Sequence, residues 1–473
     1  MNRNVVIWAL AMWLVPLPAF PEVRPHHLFT GGAVLQQKMP VPIWGTARDG
    51  EKVTVTLHRQ KVQTTATNGR WMVRLHPMNA GGPYDLKIAG EDNEVIVKDV
   101  MIGEVWVCSG QSNMQWPVRA SADPDATAAT ATDPMIRLFT VPRRPADAPE
   151  TDVDAAWQIC TPDTVLDFSA VAYAFARSLR KALRVPVGLI GSYYGGTVAE
   201  AWTPRTDLQN TPELRHLVIA EDPGQSRNRG VNRPAVLYNA MIAPLIPYAI
   251  RGVIWYQGES NATRAYEYRR LFPTLIRAWR TAWGQGEFPF LYVQLAPFMA
   301  TPPLAQEEQW AELREAQLMT LKVSPRTAMV VITDLGDARD IHPKHKAPVG
   351  ERLALAARAI AYGERIVYSG PIYDSMRIDG NRIILRFRNV GGGLVARDGA
   401  LTGFTIAGKD RKFLEAQAVI DGDTVVVWHP DVPEPVAVRY GWANFPVVNL
   451  YNKEGLPASP FRTDDFPPAT RPR

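Results

Sequence analysis

Cysteine is scarce in this chain. Its 473 residues contain two, Cys108 and Cys160, so at most one disulfide is available and stability must come from a packed core. Basic runs interleaved with aromatics are absent and the net charge is a mild +5, which argues against nucleic-acid binding. Beyond the N-terminal segment, no apolar stretch is long enough for a membrane helix. His342 and His345 lie close in sequence, but no third residue is spaced to complete a metal site, so none is expected. No internal repeat of fixed period is found. What is plentiful is apolar: 46% hydrophobic against 21% charged residues excludes a disordered chain.

The first residues read "MNRNVVIWALAMWLVPLPAF", with Arg3 ahead of an apolar stretch from Val5 to Leu17, then Pro and Ala. That layout predicts a secretory signal over residues 1–21, with cleavage after Ala19, and it is too short to span a bilayer comfortably. The mature chain is then expected in the periplasm or outside the cell. In that oxidising compartment Cys108 and Cys160 either pair or remain two inert buried thiols.

Three regions follow. Residues 22–100 alternate with period two in "KVTVTL" and "WMVRL", separated by turn signals such as "TNGR", and predict a small β-sandwich. Residues 101–365 repeat strand, loop and helix. Buried strands are expected at "EVWVC", "PVGLI", "GVIWYQ", "PFLYVQLA" and "AMVVIT". Helices are expected from Phe168 with Asp167 as N-cap, from Ala262 to Trp283 with a kink at Pro273, in "EEQWAELREAQLMTLK" and in "VGERLALAARAIAY". Five such strands imply a parallel sheet covered on both faces. The stretches 119–134 and 142–152 read as surface loops. Residues 366–473 return to β patterning in "RIILRFRN", "TVVVW" and "VAVRY", and the final "PPATRPR" reads as a loose tail.

Ligands of open α/β sheets bind beyond the carboxyl ends of the strands. Those ends carry Gly110-Gln111-Ser112-Asn113, then "SYYGGT" with Gly195 and Gly196, then "QGESN" from Gln257 to Asn261. The last carries "DLGDARDIHPKH", with Asp334, Asp337, Asp340 and His342. This set suits acyl transfer. A serine hydroxyl needs a nearby base, and imidazole titrates near neutrality. The tetrahedral intermediate needs N–H donors aimed at its oxyanion. Ser112 opening a helix and the bare Gly195-Gly196 backbone offer such donors, and Gln257 or Asn261 offers a side-chain N–H. Gln111, Asn113, Glu259 and Asn261 on the same loops are candidates for holding substrate. Cys108 beside the site reads as a packing residue.

"GEVWVCSGQSNMQWPV", "PVGLIGSYYGGTVAEAWTP", "VIWYQGESNA" and "DIHPKHKAPVGERLA" resemble the sialate O-acetylesterases, a branch of the SGNH hydrolases. "GGAVLQQKMPVPIWGTARDGEKVTV" and "RYGWANFPVVNLYNKEGLPASPFRTD" extend the likeness over residues 25–465. The resemblance implies a flavodoxin-like three-layer α/β/α SGNH hydrolase domain flanked by N- and C-terminal β-domains. It implies Ser112 as nucleophile, Gly196 as an oxyanion amide and His342 as base, and no metal or organic cofactor. Two positions depart from the wider superfamily. Arg339 stands where an aspartate precedes the histidine, which shifts its orientation to Asp340, with Asp337, Asp334 or a backbone carbonyl as alternatives. Ser260 stands where an oxyanion asparagine belongs, which shifts that donor to Gln257 or Asn261, with Gln257 preferred.

The expected activity is removal of O-acetyl groups from sialic acids through an acetyl-serine, with Arg119 or Arg339 meeting the sialate carboxylate. A deacetylase of xylan-type polysaccharide is the alternative within the same chemistry. A non-catalytic glycan-binding protein, and a glycosidase using Glu259 with an aspartate of the 334–340 loop, are the alternatives outside it.

Overall fold

The structure is a computed structural model that describes residues 22–219, 230–300 and 308–472; the signal-like segment 1–21 lies outside the described residues. Two small antiparallel sheets come first. One joins Arg24–Pro25, Val41–Thr46 and Arg70–Leu75, and the other joins Lys52–Leu57, Gln60–Thr65 and Gly81–Ala89. Their alternation is the one the sequence predicts: Val53, Val55 and Leu57 on one strand, and Trp71, Val73 and Leu75 on another, are buried while their neighbours are more exposed.

The next strand, β1 (Glu94–Gly110), serves two regions. Its first half pairs antiparallel with Gly81–Ala89, and its second half lies between two parallel neighbours. Burial follows that change of partners, alternating up to Asp99 and continuous from Val100 to Gly110, as a strand passing from a half-covered to a doubly covered sheet requires. The parallel sheet adds β2 (Asp133–Thr140), β3 (Val187–Tyr193), β4 (Gly252–Tyr256), β5 (Phe290–Val293) and β6 (Thr327–Val330), in the order β2-β3-β1-β4-β5-β6. Without the outer β2 this is the flavodoxin-like order, in which the chain steps from β1 to one side and then the other.

Side chains of each strand alternate between two apolar layers. Val105 and Val107, Val253 and Trp255, and Phe290 and Tyr292 face one layer; Trp106 and Cys108, Ile254 and Tyr256, and Leu291 and Val293 face the other. Beyond the single turn α1 (Ser112–Gln115), the helices α2 (Ala170–Leu183), α3 (Ala265–Trp283), α4 (Gln309–Val323) and α5 (Ala347–Ile360) divide accordingly. Leu271, Leu275 and Trp279 of α3 and Trp310 and Leu313 of α4 join the first layer, while Phe175 and Leu179 of α2 and Leu353 and Ala357 of α5 join the second. The three-layer α/β/α arrangement follows. No helix of the described residues is long and apolar enough to cross a membrane.

Three details differ from the sequence reading. The strand β2 begins at Asp133, and a short helix, Pro124–Ala129, forms inside the stretch read as loop. Its apolar run is broken by Arg137, a buried guanidinium whose charge is met by Asp99 at 2.6 and 3.1 Å; a paired charge inside a short run hides the strand. The N-cap of α2 is Ser169, whose hydroxyl accepts from Ala172 N at 3.1 Å, while Asp167 ends the preceding helix and pairs with Arg119. Finally, the C-terminal residues are not loose: Ala469 N and Thr470 N donate to the buried Glu312 carboxylate at 2.6 and 3.0 Å.

The C-terminal region holds two four-stranded antiparallel sheets and a two-stranded one, and the expected strands appear as Arg382–Arg388, Thr424–Trp428 and Ala437–Tyr440. Arg314 of α4, fully buried, fastens this region to the rim of the parallel sheet by donating to Leu295 O, Ala296 O, Ala443 O and Asn444 O. Glu104 does the same at the other junction. Its carboxylate, 1% exposed, accepts from Gln36 at 3.0 Å, Gln37 at 2.6 Å and Arg251 at 2.7 Å. Replacing Glu104 by Ala strands a guanidinium and two amides, and should lower the urea-unfolding free energy by about 3–5 kcal/mol, with Glu104→Gln losing less.

Candidate active site

The site is built where β1 ends. Gly110 has φ +136°, and a Cβ there would lie 2.1 Å from Tyr256 O, so only glycine lets β1 turn while lying this close to the end of β4. The backbone then folds on itself: Met114 N and Gln115 N return to Gln111 O at 3.0 and 2.9 Å, closing α1. Ser112 is its first residue. Its hydroxyl is half-buried and makes no hydrogen bond among the described residues, and its N–H has no acceptor there. This is the strand at which the sheet order reverses direction, where such sheets leave a crevice.

The turn after β3 closes against it. Gly195 N donates to Gln115 Oε1 at 2.7 Å, and a Cβ on Gly195 would sit 3.3 Å from Ser112 Cβ. Gly196 follows with φ +74°, exposed, and its N–H is without an acceptor among the described residues. Two backbone donors, one from Ser112 itself and one from the turn that packs against it, are thus left without acceptors among the described residues.

The loop after β4 does not supply the third donor expected of it. Gln257 is 0% exposed, and its amide donates to Thr197 O at 3.2 Å and Asn261 Oδ1 at 2.6 Å while its oxygen accepts from Tyr268. Both N–H groups are committed, so none remains for an oxyanion. Asn261 is engaged as well: its oxygen accepts from Ala199 N and Gln257, and its amide donates to Glu200, which pairs with Arg264. Asn113 is fully occupied, as described below, so both asparagines are tied into holding loops. Gln111 differs: its oxygen accepts from Gly258 N and Ser260 N, but its amide nitrogen makes no hydrogen bond among the described residues.

On the loop after β6, Asp340 is the carboxylate beside His342. It accepts from His342 N at 2.8 Å and lies 3.7 Å from Nδ1. Asp334 forms a two-pronged pair with Arg352, Asp337 accepts from Arg339 N, and His345 is exposed. The imidazole stacks on Trp116, centroids 4.6 Å apart and planes 17° from parallel, just past the serine turn. No hydrogen bond joins Ser112 to His342; the stacking on Trp116, four residues past the serine, is what brings the imidazole to this turn. Burial and the charge of Lys346 hold His342 below its ordinary range, with Asp340 opposing. The shift favours the neutral imidazole, the form able to accept a proton.

Lys346 and Trp116 are functional neighbours that the sequence reading misses. The 344–346 stretch, Lys-His-Lys, shows no sign of which lysine is buried: Lys344 is exposed and Lys346 is 1% exposed. Its ammonium donates to Asn113 Oδ1, and Asn113 Nδ2 donates to Glu259 Oε1 at 2.6 Å and Ile341 O at 3.0 Å. Burial pushes Lys346 down to about 7, against the opposing Glu259 and Asp340, and pushes Glu259 up, against Asn113 and Lys346.

Cys108 and Cys160 are free and buried, and burial, helped by Asp133, raises the Cys160 thiol to about 12. Inert thiols, not a disulfide, are therefore what the structure holds. Among the described residues no group of three or more His, Cys, Asp or Glu could hold a metal ion.

Comparison with known proteins places the fold and the chain's family. The family model described as carbohydrate esterase, sialic acid-specific acetylesterase, matches residues 102–359. The sialate O-acetylesterase of Homo sapiens is 35% identical over 71% of this chain and 70% of its own length. That of Pongo abelii is 31% identical over 89% of this chain and 88% of its own. The crystal structure of a carbohydrate acetylesterase from Xanthomonas citri is 42% identical, covers 94% of this chain and 100% of its own, and superposes with a TM-score of 0.87.

The two contacts of Asp340 can be separated. Asp340→Asn keeps an acceptor for His342 N but removes the charge, and should lower kcat/KM on an acetyl ester about tenfold. Asp340→Ala removes both and should cost about a hundredfold. Equal losses would show that the charge alone matters.

Proposed function

The chain belongs to the sialic acid-specific acetylesterase family of carbohydrate esterases, and from that premise we propose that it removes O-acetyl groups from sialic acids through an acetyl enzyme formed on Ser112. In this reading His342 Nε2 takes the hydroxyl proton as Ser112 Oγ attacks the acetyl carbonyl carbon. The oxyanion accepts hydrogen bonds from the Ser112 and Gly196 amides. The ester bond breaks, and the sugar oxygen leaves with the proton from His342. Water, deprotonated by the same imidazole, then attacks the acetyl-serine, and His342 returns that proton to Ser112 Oγ as the acyl–oxygen bond breaks and acetate leaves. Each step uses side chains, backbone and water. The observation that carries it is a half-buried serine hydroxyl packed by the Gly195-Gly196 turn, with that hydroxyl and the Ser112 and Gly196 N–H groups all without hydrogen bonds among the described residues.

Arg339 is proposed to meet the sialate carboxylate. Its guanidinium makes no ion pair among the described residues, whereas Arg119 is engaged by Asp167 at 2.5 Å. The signal-like layout of residues 1–19 supports a periplasmic or secreted site of action. A second reading, deacetylation of a xylan-type polysaccharide, is compatible with the 42% identity to the Xanthomonas citri carbohydrate acetylesterase, whose description specifies no sugar.

Acetate release from O-acetylated sialic acid and from acetylated xylan, measured side by side, separates the two: no release from the sialate would sink the first. On whichever ester is cleaved, Ser112→Ala and His342→Ala should each lower kcat/KM by about three orders of magnitude or more with an unchanged circular dichroism spectrum. Arg339→Ala should raise KM for the sialate ester about tenfold and leave an uncharged acetyl ester untouched.

A further inference from the structure

A buried lysine ordinarily meets a carboxylate, because an ammonium removed from water without a counter-charge costs several kcal/mol. Lys346 does not. Among the described residues it forms no ion pair, and its acceptor is the amide oxygen of Asn113. The remaining surroundings are ring faces: Nζ lies 5.7 Å from the centroid of Trp116 and 5.8 Å from that of Tyr256. Glu259, the nearest complementary charge along the network, is separated from it by the whole Asn113 amide, and its second oxygen is buried without a partner. An arrangement built only for stability would join the two charges or replace both with apolar groups.

The same tryptophan face system carries the imidazole. His342 stacks on Trp116, and Asn113 ties Ile341, the residue before it, to the turn that begins with Ser112. We propose that Lys346 is a positioning residue of the esterase: its buried ammonium, pinned by Asn113 beside Trp116, keeps His342 unprotonated until Ser112 delivers its proton, and drives that proton on to the leaving sugar oxygen. The inference rests on His342 being the base. The groups that face this pair are Asp340 from its own loop, which favours the imidazolium, Glu259 from the turn after β4, which favours the ammonium, and Tyr256 at the end of β4, with Arg314 of α4 acting on that phenol. Where Lys346 carries its proton, that charge opposes a second one on the imidazole stacked against the same tryptophan. Protonating His342 is then disfavoured, and the imidazolium formed during attack is a correspondingly better acid.

Histidine Cε1–H resonances report the effect directly, with the His342 signal identified by its loss in His342→Gln. In the wild type the imidazole should titrate below the ordinary value of about 6.5. Lys346→Gln keeps a donor for Asn113 but removes the charge; it should raise the midpoint by about one pH unit and move the acid limb of kcat/KM upward with it. Lys346→Arg should leave both in place. A wild-type midpoint at or above the ordinary value, which needs no variant to measure, overturns the proposal, as does an unmoved midpoint in Lys346→Gln. A midpoint that rises while the acid limb stays put also overturns the role in the reaction, but through the base assignment, since the charge effect itself is then seen.

Discussion

Asn113 donates to Glu259 and Ile341 and accepts from Lys346, and those bonds join segments that leave β1, β4 and β6 at widely separated points of the chain. A side-chain amide has two donors and one oxygen. Here all are used inside the protein, one residue from the serine. The relative placement of the hydroxyl, the imidazole and the buried charges is a consequence of that one shared group. Neighbouring amides repeat the pattern: Gln111 holds the turn after β4, and Gln257 with Asn261 holds the segment after β3. The rim is organised by buried amides, which orient loops without adding net charge to a site whose chemistry is sensitive to it.

The electrostatics follow from the same economy of charge. Glu259 and Lys346 are both shifted toward their neutral forms by burial, and His342 is shifted in the direction that leaves it a base. Asp340 is more exposed than the imidazole it accompanies, with side-chain exposures of 43% and 26%. Its firmest contact is the 2.8 Å bond from the backbone N–H of His342, so it shapes the loop at least as much as it polarises the ring.

Much of this was legible in the sequence, for reasons tied to particular residues. Strands covered on both faces must be continuously apolar, and "EVWVC", "GVIWYQ" and "PFLYVQLA" are. Glycines and a serine at the strand ends marked the rim because little else tolerates the backbone at Gly110 or Gly196. The strand β2 was not legible, because Arg137 interrupts it and its counter-charge, Asp99, is 38 residues away. The role of Gln257 was misread because amides look alike in sequence whether their hydrogens are free or spent. Lys346 was invisible for a related reason: burial of a lysine is a property of what packs over it, and Trp116, Tyr256 and Asn113 come from elsewhere in the chain.

The strand β1 passes from the N-terminal sheet into the parallel one without interruption, and Val34–Gln36 pairs alongside it at Met101–Gly103. The two regions are consequently not interchangeable modules. Recombination that exchanged one for another would have to cut a hydrogen-bonded ladder, not a linker, and would leave Gly81–Ala89 with a bare edge. The small β-region and the sheet that carries the serine thus share one ladder, and a break within Glu94–Gly110 would open both.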